Sequence, residues 1–523
     1  MGQVLKLYRR IDAASAWILA LLGRFSHLTV ARILALFTGL AWLIVMVVIK
    51  IHLIDTGTLT SDIAYYQNML YNTGWSVSKG SFYFLFSVHD VMAHGSYTFL
   101  NEHFSPTLAL LSPVFRVFPY PWLLSVLQPG FLLVAAWGLF RLTQRLLDVN
   151  GAAPGFGLLP ALVAATYLFN YSNVSATVDV MYGFHHDSLI PPLLVWAIVG
   201  VAEGRWRLAL VLFVLFLGLK ENLPIISASG LGFCLVTNCV VPRKKALIGL
   251  ALCGAFFAGC YWMEFRTHNR HVGIIYRFFN PEIIDQVLDR PFKWPIVTNF
   301  WPGLLAPPFA LPALADLCLQ VVGDTTELDW HSYALMSFGM LATVWAFVKV
   351  LSLTKRWTVL PLTAYVALAS LMAGPMIEQG VTSCTLIWRA AFQVPRLVDR
   401  AALAEVSAPV PRDAKLSTSS DLLVFFSDRH QLLWPESASL SEYVLVNHRD
   451  KQDNRFKAEG FARTAVGKDK ANEYFYSNLD VILRGLDYDE VLYAYMDRKT
   501  AAGDAVILRS NGSLVLYKLL RGR

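Results

Sequence analysis

Ionisable and amide side chains stand near the ends of long apolar runs, where they can act on a polar substrate. The first group is Asp62, Gln67 and Asn72. An ionised Asp62 can serve as a general base toward a hydroxyl group, and the two amides can orient a sugar or an acceptor by neutral hydrogen bonds. The helix dipole also favours an acid at a helix start, so a purely structural role for Asp62 stays open.

Histidines follow in two further segments. His103 precedes Pro106 at the start of a short apolar stretch, where it can meet a phosphate or a metal, or simply stand before the first turn of a helix. His185 begins a run with His186 and Asp187. Imidazole with carboxylate suits a divalent cation, but adjacent histidines lack the spacing that places two ligands on one helix face. Metal dependence therefore stays open, and no metal ligand is assigned.

The pair Lys220-Glu221 separates two apolar runs. Lys220 can extend toward the membrane interface with Glu221 as its partner, or it can bind the phosphate of a lipid carrier. Arg266 is the second cation available for such a phosphate. The sequence thus predicts a site with Asp62 as the catalytic residue. The predicted substrate-binding residues are Gln67, Asn72, His103, His185, Lys220, Glu221 and Arg266.

Composition indicates which elements must position these residues. Of the 523 residues, 55% are hydrophobic and only 15% are charged, whereas soluble proteins carry about 25% charged residues. The basic residues fall mostly between apolar segments, as the positive-inside rule expects of a membrane protein. The net charge of +7 therefore indicates orientation in a membrane, and nucleic acid is not an expected partner.

The charge pattern predicts a polytopic helical protein with about 11 spans. Residues 1–29 form a basic cytoplasmic segment, and residues 30–384 form the transmembrane domain, with a large outer loop at 52–104. The stretch Pro106–Phe118 is too short for a full span and is predicted not to cross. With that assignment, the histidine and acid clusters all lie on the extracytoplasmic side.

Beyond residue 384 the sequence becomes charged and resembles that of a soluble domain. Residues 385–523 are predicted to form a small extracytoplasmic α/β domain, because short β-branched or aromatic runs alternate with turn signals such as Asn511-Gly512. The predicted strands are Leu422–Phe426, Tyr443–Asn447, Val491–Tyr495, Ala505–Leu508 and Leu514–Leu519.

The order of these motifs resembles a bacterial membrane-protein family of unknown function, of the DUF2079 type. The resemblance rests on Asp62 to Gly74, Glu102 to Pro106, Phe184-His185, Lys220-Glu221 and the segment from Asp428 to Val446. That family in turn resembles the GT-C superfamily of polytopic glycosyltransferases. The resemblance implies a mainly α, GT-C-like fold with Asp62 in the catalytic position and His103, His185 and Lys220-Glu221 along a donor pocket.

The resemblance also implies a function, which is sugar transfer on the outer side of a bacterial inner membrane. The expected partners are a polyprenyl-phosphate-linked sugar, the lipid bilayer, and a glycan, lipid or protein acceptor. A divalent metal is the one cofactor left open. A transporter or lipid flippase that uses the same polar residues is the alternative, and an assembly factor whose C-terminal domain recruits partners is a third reading.

Overall fold

A computed structural model describes most of the chain. The described ranges are 28–56, 61–74, 99–101, 103–120, 122–150, 156–178, 183–267, 305–322, 333–353, 398–448 and 492–520, with a few single positions between them. Residues 268–304 and 354–384 of the predicted transmembrane domain lie outside these ranges.

Helices dominate the described part, as the sequence predicts. We number them in chain order: α1 Leu28–Asp55, α2 Ser61–Asn72, α3 Ser112–Val117, α4 Leu123–Val149, α5 Leu159–Leu168, α6 Tyr171–Thr177, α7 Ile190–Ala202, α8 Trp206–Leu217, α9 Leu223–Thr237, α10 Arg243–Thr267, α11 Pro307–Val322, α12 Tyr333–Leu353 and α13 Arg400–Ser407. Short 3-10 segments cover Phe99–Asn101, Pro106–Leu111, His186–Leu189, Ser420–Phe426 and Pro435–Leu440.

Local sequence explains where several of these helices begin and end. Pro160, Pro191 and Pro224 stand in the first turns of α5, α7 and α9, where the missing amide hydrogen costs nothing because no carbonyl precedes it in the helix. Asn238 ends α9 in the left-handed conformation, with φ 53°, and its amide donates to the carbonyl of Cys234.

Three of the described helices are long and apolar enough to cross a bilayer: Thr29–Asp55, Leu123–Val149 and Arg243–Trp262. The other apolar helical stretches that qualify in the described part run over 10–17 residues, among them Tyr333–Lys349 within α12, and a full span needs about 20. The chain therefore has membrane-spanning character, and the larger count of about 11 spans stays a prediction.

The chain divides into two compact units. The helical unit comprises Met1–Val45, Gly130–Ala176 and His186–Ser383, and it contains α5 to α12. The mixed unit comprises Met46–Pro129, Thr177–His185 and Cys384–Arg523. It joins the first loop region, including α2 and α3, to the C-terminal region.

The C-terminal part of the mixed unit contains a five-stranded sheet. Its strands are β1 Leu416–Thr418, β2 Leu432–Leu433, β3 Tyr443–Asn447, β4 Ala505–Asn511 and β5 Leu514–Leu519, in the order β2-β1-β3-β5-β4. β1 pairs in parallel with β2 and β3, while β5 runs antiparallel to β3 and β4. Gly512, with φ +58°, makes the turn between β4 and β5, which confirms the predicted Asn511-Gly512 turn.

Two predicted strands are wrong. Leu422–Phe426 belongs to a 3-10 helix, and the described part of Val491–Tyr495 belongs to a helix over 492–501. Leu422, Leu423 and Val424 are consecutive and all fully buried. Their apolar side chains therefore show neither the alternation of a strand nor the 3.6-residue period of a helix, and the sequence alone does not distinguish the two. In the second case Leu492 and Met496, four residues apart, pack together into the core beside β3, which is a helical spacing.

Candidate functional site

Helix α2 is polar in composition and almost wholly buried. Its sequence is SDIAYYQNMLYN, yet Gln67, Asn68 and Asn72 are each at most 3% exposed. A buried amide costs about 1–3 kcal/mol when it lacks a hydrogen bond. The partners of these amides therefore indicate what α2 does in the mixed unit.

Two of the amides bind the C-terminal region. The Nδ2 group of Asn68 donates to the carbonyls of Ser427, at 3.2 Å, and Arg429, at 2.6 Å. The Nδ2 group of Asn72 donates to Asn68 Oδ1 at 3.0 Å and to the carbonyl of His430 at 3.4 Å. These bonds tie α2 to the segment that follows the 3-10 helix Ser420–Phe426.

His430 completes this contact. Its Nδ1 lies 2.8 Å from Asn72 Oδ1, and its ring stacks on Tyr71 at 4.7 Å between centroids. An amide oxygen only accepts, so Nδ1 of His430 carries the hydrogen. Burial lowers the pKa of His430 below its ordinary value; Arg412 and Arg116 act in the same direction, and Asp413 and Asp428 oppose them.

Gln67 has a different environment from the two asparagines. It is fully buried, and neither its Nε2 nor its Oε1 has a hydrogen-bond partner among the described residues. An amide buried with both ends unsatisfied is rare in folded proteins. Among the described residues, Gln67 is therefore the residue of α2 whose side-chain amide has both ends available to a further partner.

Aromatic rings pack around Tyr66 of α2. Tyr66 makes edge contacts with Phe99 and Phe184, each at 5.5 Å between centroids. Its hydroxyl lies 3.3 Å from Nε2 of His185, which is buried. His103 is half-buried and lies against Phe99 at 5.6 Å. The mixed unit thus brings four sequence-predicted residues, Gln67, Asn72, His103 and His185, onto α2 and its immediate surroundings.

Lys50 is a charged residue of the mixed unit that the sequence reasoning missed. It is fully buried near the end of α1, and its Nζ donates to Gln128 Oε1 at 2.5 Å and to the carbonyl of Gly183. A lysine inside an apolar run is the signal that could have found it, because such a charge is expensive and usually functional.

The helical unit holds the other predicted residues. Lys220, in the turn between α8 and α9, donates to Asp187 Oδ2 at 2.5 Å, and both side chains are buried. His186 Nε2 lies 3.3 Å from the other carboxylate oxygen of Asp187. The partner proposed from sequence, Glu221, and the buried Asp316 of α11 also act electrostatically on Lys220. Asp187 and Asp316 are acids that the sequence prediction did not assign.

Two predicted residues can be placed only on the backbone. Asp62 is the second residue of α2, and Arg266 is in the last turn of α10; their side chains lie outside the described part. The boundary between the units falls between His185 and His186, so His185 belongs to the mixed unit and His186 to the helical unit. In the helical unit His186 and Asp187 are adjacent and buried, and no metal ligand is assigned.

Comparison with known proteins extends this description. Residues 57–267 match the model of a family described as a predicted membrane protein (DUF2079). The matched range contains α2 to α10 and all eight residues that the sequence analysis singled out. No curated protein matches the chain. The match supports a predicted membrane protein of unknown function, and the likeness to GT-C enzymes stays a prediction.

Proposed function

We propose that this membrane protein is a glycosyltransferase of GT-C type. It transfers a sugar from a polyprenyl-phosphate carrier to an acceptor on the extracytoplasmic side of the bacterial inner membrane. The observation that carries the proposal is the buried, polar helix α2, which has an acid at its start and in which the Gln67 amide has no hydrogen-bond partner within the described part of the chain. A sugar has the hydroxyl groups that such an amide can bind.

The proposed chemistry is a single inverting displacement. The acceptor hydroxyl oxygen attacks the anomeric carbon of the donor sugar, and the bond from that carbon to the phosphate oxygen breaks. The polyprenyl phosphate leaves with the electron pair, and Asp62 takes the hydroxyl proton as general base. Gln67 orients the sugar or the acceptor, with His103 and His185 beside the donor. Asn72, the other amide predicted to bind substrate, bonds to Asn68 and His430, so we assign it the role of holding α2 in position.

The leaving phosphate is anionic, so the proposal assigns it a cationic partner. The sequence candidates are Lys220, with Glu221 beside it, and Arg266. Lys220 already pairs with Asp187, so we assign the phosphate first to Arg266 and treat Lys220 as a group whose charge is shared with its carboxylate.

The test is donor turnover by the purified protein in lipid nanodiscs. Short-chain polyprenyl-phosphate sugars are supplied with an envelope extract as acceptor, and released polyprenyl phosphate is measured by mass spectrometry. We expect Asp62→Asn to lower the turnover about 10²- to 10⁴-fold, the usual contribution of a general base. Asp504→Asn, which removes an exposed carboxylate of the same unit paired with Lys499, should leave turnover unchanged. Full turnover by Asp62→Asn would overturn the proposal.

A transporter or lipid flippase is the alternative function, and one observation favours it. The buried Asp187–Lys220 pair lies among the apolar helices of the helical unit, and buried ionisable groups in such bundles mark substrate or proton paths. Movement of a fluorescent lipid across proteoliposome membranes that is lost in Asp187→Asn, without any donor turnover, would favour this function over transfer.

A further inference from the structure

The helical unit contains an apolar cavity that the proposed transfer does not use. It measures about 290 Å³ and lies among α7 to α12. Of the side chains that line it, Arg207, Lys245 and Ser227 carry the strongly polar groups, while the rest are mainly aliphatic or aromatic. The volume is close to the lower end of the usual range for ligand pockets, roughly 300–1,000 Å³, which suits one apolar chain.

The two basic residues lie at the same end of the unit. Arg207 is in the first turn of α8 and Lys245 in the first turn of α10. The Nζ group of Lys245 lies 3.2 Å from the ring centroid of Trp206, which brings the two helix starts together. Lys220 follows the opposite end of α8, and a helix of 12 residues extends about 18 Å. The basic end is thus separate from the Lys220 pair.

A buried hydroxyl inside the cavity indicates a ligand. Ser227 is 5% exposed, and its Oγ has no hydrogen-bond partner among the described residues. Buried hydroxyls are normally satisfied by the protein or by a bound molecule. An acyl-ester carbonyl is an acceptor that an apolar chain can bring to this position.

The outer surface beside the cavity is apolar as well. Leu210, Val211 and Ile248 are 45%, 57% and 53% exposed. In a protein with membrane-spanning helices such side chains suit contact with lipid, and a bilayer lipid can reach the cavity laterally. Its head group then meets Arg207 and Lys245, which an anionic phosphate complements.

We propose that this cavity binds an anionic glycerophospholipid, with one acyl chain among α7 to α12, the head-group phosphate at Arg207 and Lys245, and an ester carbonyl at Ser227. The site is independent of the proposed sugar transfer. It holds a structural or regulatory lipid at the opposite end of α8 from Lys220.

Native mass spectrometry and thermal unfolding of the full chain in detergent test the site. The probes are phosphatidylglycerol, phosphatidylcholine with the same acyl chains, and inorganic phosphate. We expect phosphatidylglycerol to bind and to raise the unfolding temperature. The double variant Arg207→Gln/Lys245→Gln should weaken that binding about 10- to 30-fold, since each basic side chain near a membrane surface contributes to anionic-lipid affinity.

The matched control is Lys244→Gln/Arg145→Gln, which removes the same charge from exposed positions outside the cavity lining. It should retain binding within about twofold. A second variant, Ser227→Ala, should weaken phosphatidylglycerol binding with an unchanged unfolding temperature in lipid-free detergent. Equal losses in both double variants, equal binding of phosphatidylcholine, or equal stabilisation by inorganic phosphate would each overturn the proposal.

Discussion

At the scale of single residues, the buried ion pair between Asp187 and Lys220 is among the contacts whose loss should cost the most stability. The lysine side chain is 10% exposed and the carboxylate 2% exposed, so neither charge is stabilised much by water. Breaking such a pair leaves one charge buried without compensation, whereas replacing both partners by apolar groups can be neutral. The pair therefore constrains both positions together, whether it serves transfer, transport or structure.

Lys220→Met is expected to destabilise the protein by about 3–5 kcal/mol, because Asp187 stays buried without its partner. Lys220→Met/Asp187→Leu should recover most of that loss. Thermal unfolding in detergent measures both effects. Arg141→Ala is the comparison variant, because it breaks the ion pair between Arg141 and Glu203. The Arg141 side chain is 42% exposed, so this variant should lower the free energy of unfolding by about 1 kcal/mol or less. An equal cost for Lys220→Met and Arg141→Ala would contradict this prediction.

His430 gives the mixed unit a pH dependence. Because its pKa is lowered in the folded protein, protonation favours the unfolded chain. The stabilisation is complete above the ordinary histidine pKa of about 6.5 and is lost as the pH falls below it. We expect the unfolding temperature to drop between pH 8 and pH 5.5.

His430→Asn should reduce that drop, since the asparagine amide can still donate to Asn72 without titrating. His448, whose pKa burial also lowers, retains a share of the effect in this variant. An unchanged drop in His430→Asn would show that the contact with Asn72 does not couple to pH.

At the scale of elements, close helix packing depends on small residues. A Cβ atom at Gly230 of α9 would lie 2.3 Å from the carbonyl oxygen of Pro308 and 2.8 Å from Cγ of Pro312. Neither a backbone oxygen nor a proline ring moves easily, so α9 and α11 approach this closely only because residue 230 has no side chain. Gly232, on the same helix, meets nothing within 4 Å.

Gly230→Ala should therefore destabilise the helical unit by about 1–3 kcal/mol through overpacking. Gly232→Ala should be neutral or stabilise the protein by up to about 1 kcal/mol, because alanine favours helix. The two unfolding temperatures, measured side by side in detergent, decide the point. A loss in Gly232→Ala as large as in Gly230→Ala would place the cause in the helix itself rather than in its contact with α11.

The elements also show where sequence reasoning succeeds. Tyr443–Asn447 and Leu514–Leu519 are strands with the predicted bounds, because each is a β-rich run beside a clear break. The run at Leu422–Phe426 is equally apolar but forms a 3-10 helix in which four of the five residues are buried, so its hydrophobic pattern shows no period that distinguishes a helix from a strand. Strands β1 and β2, of three and two residues, are too short to leave a pattern.

At the scale of the whole molecule, the sequence locates candidate residues but not their partners. The choice of Gln67 and Asn72 rested on polar groups near apolar runs, and both are buried on α2. Asn68 was missed, and its partners stand 359 and 361 residues away. Such contacts have no local spacing rule, so a single sequence cannot reveal them. Lys50, by contrast, is visible in the sequence as a lone charge in an apolar run.

The proposed orientation makes a prediction for the entire chain. With the basic start in the cytoplasm and an odd number of crossings, the C-terminal region is extracytoplasmic. A periplasm-active phosphatase fused after Arg523 should be active, and the same enzyme fused after Pro242, before the basic Arg243-Lys244-Lys245 run, should be inactive. The reverse pattern would invert the topology and remove the extracytoplasmic site from the proposal.

The hydrogen bonds from Asn68 to the carbonyls of Ser427 and Arg429 can form only late in the synthesis of the chain. A ribosome adds about 5–20 residues each second, so the partners of α2 emerge roughly 20 to 70 s after the helix itself. Throughout that interval the amides of Asn68 and Asn72 must be hydrated or held by another protein. A nascent chain arrested before residue 427 would therefore expose α2 to chaperones and proteases, because the carbonyls that bind Asn68 belong to residues made 359 and 361 positions later.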